Sequence, residues 1–222
     1  MRVFPRLMLW AWERPEELST LPVDKAGVAF LAQTVTVQEG RASIRPRLQP
    51  LHVPAGARLM AVTRIEVAPP LAASGALRDR LVEAILATAR PGVLGLQVDF
   101  DARASERAFY ADLLRALRAR MDPAMPLSMT ALASWGLFDG WIADLPVDEA
   151  VPMAFDMGPD DGAVRHWLAA KRPMREPLAR RAFGLCLQEK LPWVPSAPRV
   201  YVFNREAWNA TTMREALKEH GS

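Results

Sequence analysis

Two rhythms of apolar and polar residues alternate along the chain. The first consists of short runs that are wholly apolar or alternate with period two, as strands do. These runs are Leu7–Trp12, Val28–Thr34, Arg58–Val67, Leu94–Asp101, Leu127–Trp135, Val151–Asp156, Phe183–Gln188 and Arg199–Phe203. The second rhythm repeats every three to four residues and predicts amphipathic helices. Leu77, Leu81, Ile85 and Ala89 mark one over Leu77–Arg90, and Phe109, Leu113, Leu117 and Met121 mark another over Ser105–Met121. Val164, Trp167 and Leu168 mark a third over Ala163–Lys171, and a closing helix capped by Thr211 or Thr212 runs to about His220. Shorter helical pieces are expected at Pro15–Leu21 and Phe138–Leu145. The second strand runs on through Val35–Val37 into a hairpin turned at Glu39–Gly40 and returning over Ala42–Arg47, a decoration on the rim of the fold.

Eight strands with helices between most of them are the count of a (β/α)8 TIM barrel. Helices look short or absent after strands one, two and seven. The expectation is therefore an α/β fold, a trimmed barrel with a β-hairpin insertion after strand 2, forming a single domain over residues 1–222. The rival is an open doubly wound sheet, but no glycine-rich phosphate loop follows the first strand.

The fourth run has a parity that the rest of the chain is organised around. Leu94, Leu96, Val98 and Phe100 share one side, and Gly95, Gln97, Asp99 and Asp101 the other. In a barrel the apolar side meets the helices, so two carboxylates and an amide point inward, where burial is costly. Lining a site explains them economically. The other strand ends add Trp10, Trp12 and Glu13, then Gln33, Arg64, Glu66, Ser134, Trp135, Asp156, Gln188, Glu189, Asn204 and Arg205. Carboxylates with tryptophans suit sugars: aromatic faces stack on pyranose rings, and paired carboxylates perform acid–base work on glycosidic bonds. Asp99 and Asp101 lie two apart on one face, so their repulsion raises one pKa, as a general acid requires.

Composition narrows the chemistry further. The formal charge of +3 is spread along helices rather than gathered in a stripe, which argues against a nucleic-acid partner. Cys186 is the only cysteine and the three histidines are far apart, so neither a disulfide framework nor a zinc site is expected. No cofactor is implied, while an all-oxygen metal site on the aspartates stays open. No apolar run is long enough to span a membrane, and residues 1–6 lack a signal-peptide core. A cytoplasmic location is the default, with export left open.

The segment Leu94-Gly95-Leu96-Gln97-Val98-Asp99-Phe100-Asp101 resembles the fourth-strand signature D-G-x-D-x-D-W-E of the chitinase-like, family eighteen glycoside hydrolases. Met153-Ala154-Phe155-Asp156 resembles their sixth-strand M-x-Y-D. The resemblance places Asp101 at the catalytic acid, Asp99 at the aspartate that orients the substrate acetamido group, Gln97 behind it, and Asp156 at the sixth-strand aspartate. Among its departures, Leu94 replaces the first aspartate, Asp101 is one methylene shorter than glutamate, and Phe155 lacks the tyrosine hydroxyl. Gly95–Asp101 and Leu127–Trp135 also resemble a bacterial domain family of unknown function with a glycosidase-like barrel.

Two functions follow as expectations. One is a glycoside hydrolase with Asp101 as acid, Asp99 as its partner, Asp156 and Glu189 as candidate second carboxylates, and a substrate held by Trp10, Trp12, Trp135, Gln97, Arg64, Phe155 and Asn204. The other is a non-catalytic barrel that binds a glycan or a protein. Plainer roles compete at each position: Asp99 and Asp101 as structural partners of Arg64 or Arg205, the tryptophans as core, Asp156 as a turn cap, and Glu189 as solvated surface.

Overall fold

The computed structural model describes residues 1–221. Its strands are β1 (Leu7–Ala11), β2 (Glu16–Glu17), β3 (Ala26–Gln38), β4 (Arg41–Pro46), β5 (Leu51–His52), β6 (Leu59–Val67), β7 (Val93–Asp99), β8 (Leu127–Leu132), β9 (Glu149–Met153), β10 (Ala182–Cys186) and β11 (Arg199–Phe203). Its α-helices are α1 (Gly75–Leu86), α2 (Arg107–Arg120), α3 (Asp161–Ala169) and α4 (Ala210–His220). Eight of these strands run parallel in the order β1-β11-β10-β9-β8-β7-β6-β3, and β1 also pairs with β3, which closes the barrel. The hairpin is present as well: β4 returns antiparallel along β3, turned at Glu39 and Gly40 with φ of 51° and 73°.

The barrel is trimmed further than the sequence suggested. No α-helix follows β1, β3, β8 or β10 among the described residues. Phe138–Leu145, expected as a helix, is a series of turns. Gly140 adopts φ of 62°, which breaks a helix, and the apolar spacing comes from Leu137, Ile142 and Leu145 packing separately into the core. Pro15–Leu21 is not helical either. Glu16 and Glu17 are extended as β2 beside β5, because the buried Glu16 carboxylate is held by Arg14 Nε at 2.8 Å and the Trp208 N–H at 2.6 Å. The cap of α4 is Asn209, whose side chain accepts from the N–H groups of both Thr211 and Thr212.

The parity of β7 holds from Leu96 onward; Leu94, expected on the same outer side, packs against the barrel interior instead, where the pairing with β6 shifts register between Leu59 and Met60. Leu96, Val98 and Phe100 join the outer core with Leu81, Tyr110 and Leu113 from the helices. The barrel interior is a separate cluster that includes Phe4, Met8, Trp10, Met60, Val62 and Tyr201. Gly95 makes room for the Phe4 plug at the lower end, since a Cβ there would lie 2.9 Å from the Phe4 ring.

A polar chain threads the interior. Trp10 Nε1 donates to Gln97 Oε1 at 2.8 Å, Gln97 Nε2 to Ser128 Oγ at 2.9 Å, and Ser128 Oγ to Glu149 Oε1 at 3.2 Å. Glu149, fully buried, also accepts from the Tyr201 hydroxyl at 2.6 Å and from Arg199 at 2.7 Å. Each link satisfies a group that would be costly to bury alone. The chain ties β1, β7, β8, β9 and β11 beneath the upper end of the barrel.

Candidate active site

The C-terminal ends of the strands open into a cleft of about 300 Å³. On the β7 side, Asp99 closes the strand, only 4 % exposed, and accepts from Thr130 Oγ1 at 2.7 Å. Arg64 on β6 faces it at 3.5 Å and spends its Nε on Glu66 at 2.9 Å. Burial, then the neighbouring Asp101, push the Asp99 carboxyl from an ordinary 3.8 up to about 6, against the pull of Arg64 and Thr130. Asp101 sits two residues on at the exposed mouth, where crowding by the protein raises its pKa and Arg64 opposes the rise.

The facing wall is aromatic. Phe155 and Phe203 stack with centroids 5.5 Å apart and planes 8° from parallel, and Trp12 meets Phe203 edge-on at 6.1 Å. Trp10 lies beneath, its ring 6.1 Å from Phe155. Gly184 lets the indole in: a Cβ there would stand 3.0 Å from the ring. Trp12 is fixed from outside the barrel. Arg47, just past β4, donates to the carbonyls of Trp12, of Arg14 at 2.6 Å and of Gln49 at 2.9 Å, and Arg64 lies over the Trp12 ring at 5.8 Å.

The cleft therefore gathers Asp99, Asp101, Asp156, Trp10, Trp12, Arg64 and Phe155. Asp156, with φ of 48°, is exposed on the rim and ion-paired to Arg205 at 2.6 Å. Gln97 lies below the cleft, fully buried and bonded on both amide atoms. Three candidates sit elsewhere. Trp135 rides a 3-10 turn (Ala133–Gly136) that ends β8 early and carries it into the outer core, 4.8 Å from Trp141. Glu189 pairs with Arg165 at 3.2 Å and with Arg205, lining a separate groove beside α4. Asn204 is buried, its amide oxygen taken up by Gln188 and the Glu206 N–H. Sequence reasoning passed over Thr130, Asp160 and Phe203 as site residues. Thr130 and Phe203 follow Ser128 and Tyr201 by two residues, so strand parity was the signal that could have found them. Among the described residues, no group of three or more His, Cys, Asp or Glu is placed to hold a metal ion.

An acid pair at one strand end, facing aromatics across the mouth of a closed eight-stranded parallel barrel, puts the cleft where TIM barrels carry their active sites. Known structures share that barrel. A Streptomyces coelicolor protein assigned as chitinase A superposes with a TM-score of 0.64 at 12 % identity, covering 99 % of this chain and 98 % of that one. A fungal endo-beta-N-acetylglucosaminidase of glycosyl hydrolase family 18 superposes with a TM-score of 0.57 at 13 % identity, covering 96 % and 97 %. The chain thus shares the closed-barrel fold of these two structures. No family model and no curated protein matches the chain. No helix among the described residues is long and apolar enough to cross a membrane.

Proposed function

We propose that the barrel hydrolyses a glycosidic bond, with Asp101 as the general acid and Asp99 as its electrostatic partner. The observation that carries this reading is the Asp99–Asp101 pair, which holds a proton up to about pH 6 while facing an aromatic-walled cleft. The proton belongs to the pair. Asp101, at the mouth, passes it to the departing oxygen. Once the proton has left, the two carboxylates hold negative charge beneath the positive charge that develops on the sugar. Trp12, Phe155 and Phe203 hold the ring, with Trp10 as the floor. Asp156, on the rim two strands away, is the second carboxylate that serves the water or the sugar carbon. Glu189, turned away behind Arg205, takes no direct part.

The test is turnover of a panel of aryl glycosides and oligosaccharides by wild type and Asp101→Asn. Loss of a general acid costs roughly 10²–10⁴ in rate, so the variant should fall by that much with an unchanged melting temperature. Chelator should not alter the wild-type rate. If neither protein turns anything over and a saccharide still raises the melting temperature, the cleft binds without catalysing, and the acid assignment is lost.

A further inference from the structure

The cleft carries a charge that the chain as a whole does not. The chain is formally +3. The cleft is lined by four carboxylates, Asp99, Asp101, Asp156 and Asp160, against one guanidinium, Arg64. Arg205 offsets Asp156 from outside the lining, and Arg64 is itself shared with Glu66. Asp101 and Asp160 form no ion pair among the described residues. Asp160 stands at the N-terminal end of α3. Low-dielectric walls focus such a field and draw in cations.

The hydrogen-bonding inventory is lopsided in the same direction. The Trp10 N–H goes to Gln97, the Thr130 hydroxyl to Asp99, and Arg64 to Glu66 and Asp99. Arg64 Nη2, Trp12 Nε1 and Ser134 Oγ remain as donors in the lining, but the carboxylate oxygens of Asp101, Asp156 and Asp160 outnumber them. A ligand that fits this lining brings donors and positive charge. An ammonium group brings three donors and no acceptor, whereas an acetamido group brings one of each and a uronate brings acceptors alone.

We infer that the cleft takes a saccharide bearing a free, protonated amine, a hexosamine unit without its acetyl group, in preference to neutral or acidic sugars. This inference rests on the carbohydrate reading above.

Calorimetric binding and turnover are measured at pH 7 with equal-length oligomers of glucosamine, N-acetylglucosamine and glucose. The glucosamine oligomer should bind on the order of tenfold tighter than the other two, as expected for a charge-assisted contact in a partly enclosed site. That preference should shrink severalfold between about 50 mM and about 500 mM salt. Asp160→Asn should lower the glucosamine-to-glucose affinity ratio by about threefold. Equal or tighter binding of a neutral oligomer overturns the inference and leaves the carbohydrate reading standing. A glucosamine preference unmoved by both salt and Asp160→Asn also overturns it, since charge would not be its source. Failure of all three oligomers to bind or react, with the protein shown folded by circular dichroism, overturns the carbohydrate reading and this inference with it.

Discussion

Replacing Asp99 by asparagine is expected to stabilise the protein at neutral pH. In the folded state the Asp99 carboxyl keeps its proton up to about pH 6, whereas its ordinary value is 3.8. Between those two values the folded chain binds a proton that the unfolded chain has already released. Stability then falls as pH rises through that window and stays reduced above it. The gap of about 2 pH units corresponds to about 3 kcal/mol at pH 7. An amide in the same place can still accept from Thr130 but loses the attraction of Arg64 at 3.5 Å, so the net gain should be about 1–3 kcal/mol. For a chain of this length that is a rise in melting temperature of roughly 2–12 °C. The assay is urea or thermal unfolding of wild type and variant at steps from pH 4 to pH 8, read as the difference between them. That difference isolates Asp99 from the other groups that titrate. It should be near zero or slightly unfavourable to the variant at pH 4, and should grow in the variant's favour until about pH 7. A variant that is less stable at pH 7, with a difference that does not move with pH, would make Asp99 a structural partner of Arg64 and remove the basis for a strained acid pair.

Two further changes probe the frame around the site. Arg199→Met leaves the fully buried Glu149 carboxylate without its cation, at a cost of about 3–5 kcal/mol; adding Glu149→Gln should recover much of that loss in urea unfolding, which a simple cavity at position 199 would not allow. Gly184→Ala drives a methyl against the Trp10 ring and the Pro152 carbonyl, so it should cost about 1–3 kcal/mol and weaken saccharide binding together; unchanged stability and binding would show that Trp10 has room to shift.

The parity of one short strand was enough to read the inner and outer faces of the barrel. Leu96 and Val98 had to meet helices and Asp99 had to face inward, because the period of a strand leaves no other choice. Arg199–Phe203 and the hairpin turn at Glu39–Gly40 were equally plain, being bounded by strong local signals. What sequence spacing did not show was direction at the strand ends. Trp135 looks like a rim residue until Ala133–Gly136 coils and turns it outward. Asn204 and Glu189 lie at the right height, yet partners distant in sequence claim them: Gln188 for one, Arg165 and Arg205 for the other. The Phe138–Leu145 helix failed for a related reason. Burial of Leu137, Ile142 and Leu145 imitates helical spacing while Gly140 interrupts the backbone. Glu149 and Arg199 gave no pattern at all, since a buried ion pair 50 positions apart has no local signature.

The hairpin answers to constraints different from those of the strands beside it. Barrel register is shared among eight strands, so a change in one propagates around the ring. Arg47 gathers the carbonyls that seat Trp12, yet β4, which it follows, pairs only with β3 and lies outside that ring. One contact that seats the wall of the cleft therefore comes from beside a segment whose tip can drift in length and sequence without unsettling the barrel. Lengthening or trimming the hairpin would carry Trp12 toward or away from Asp101 and alter the gap between wall and acid, a dial on ligand size that evolution or engineering can turn independently of folding.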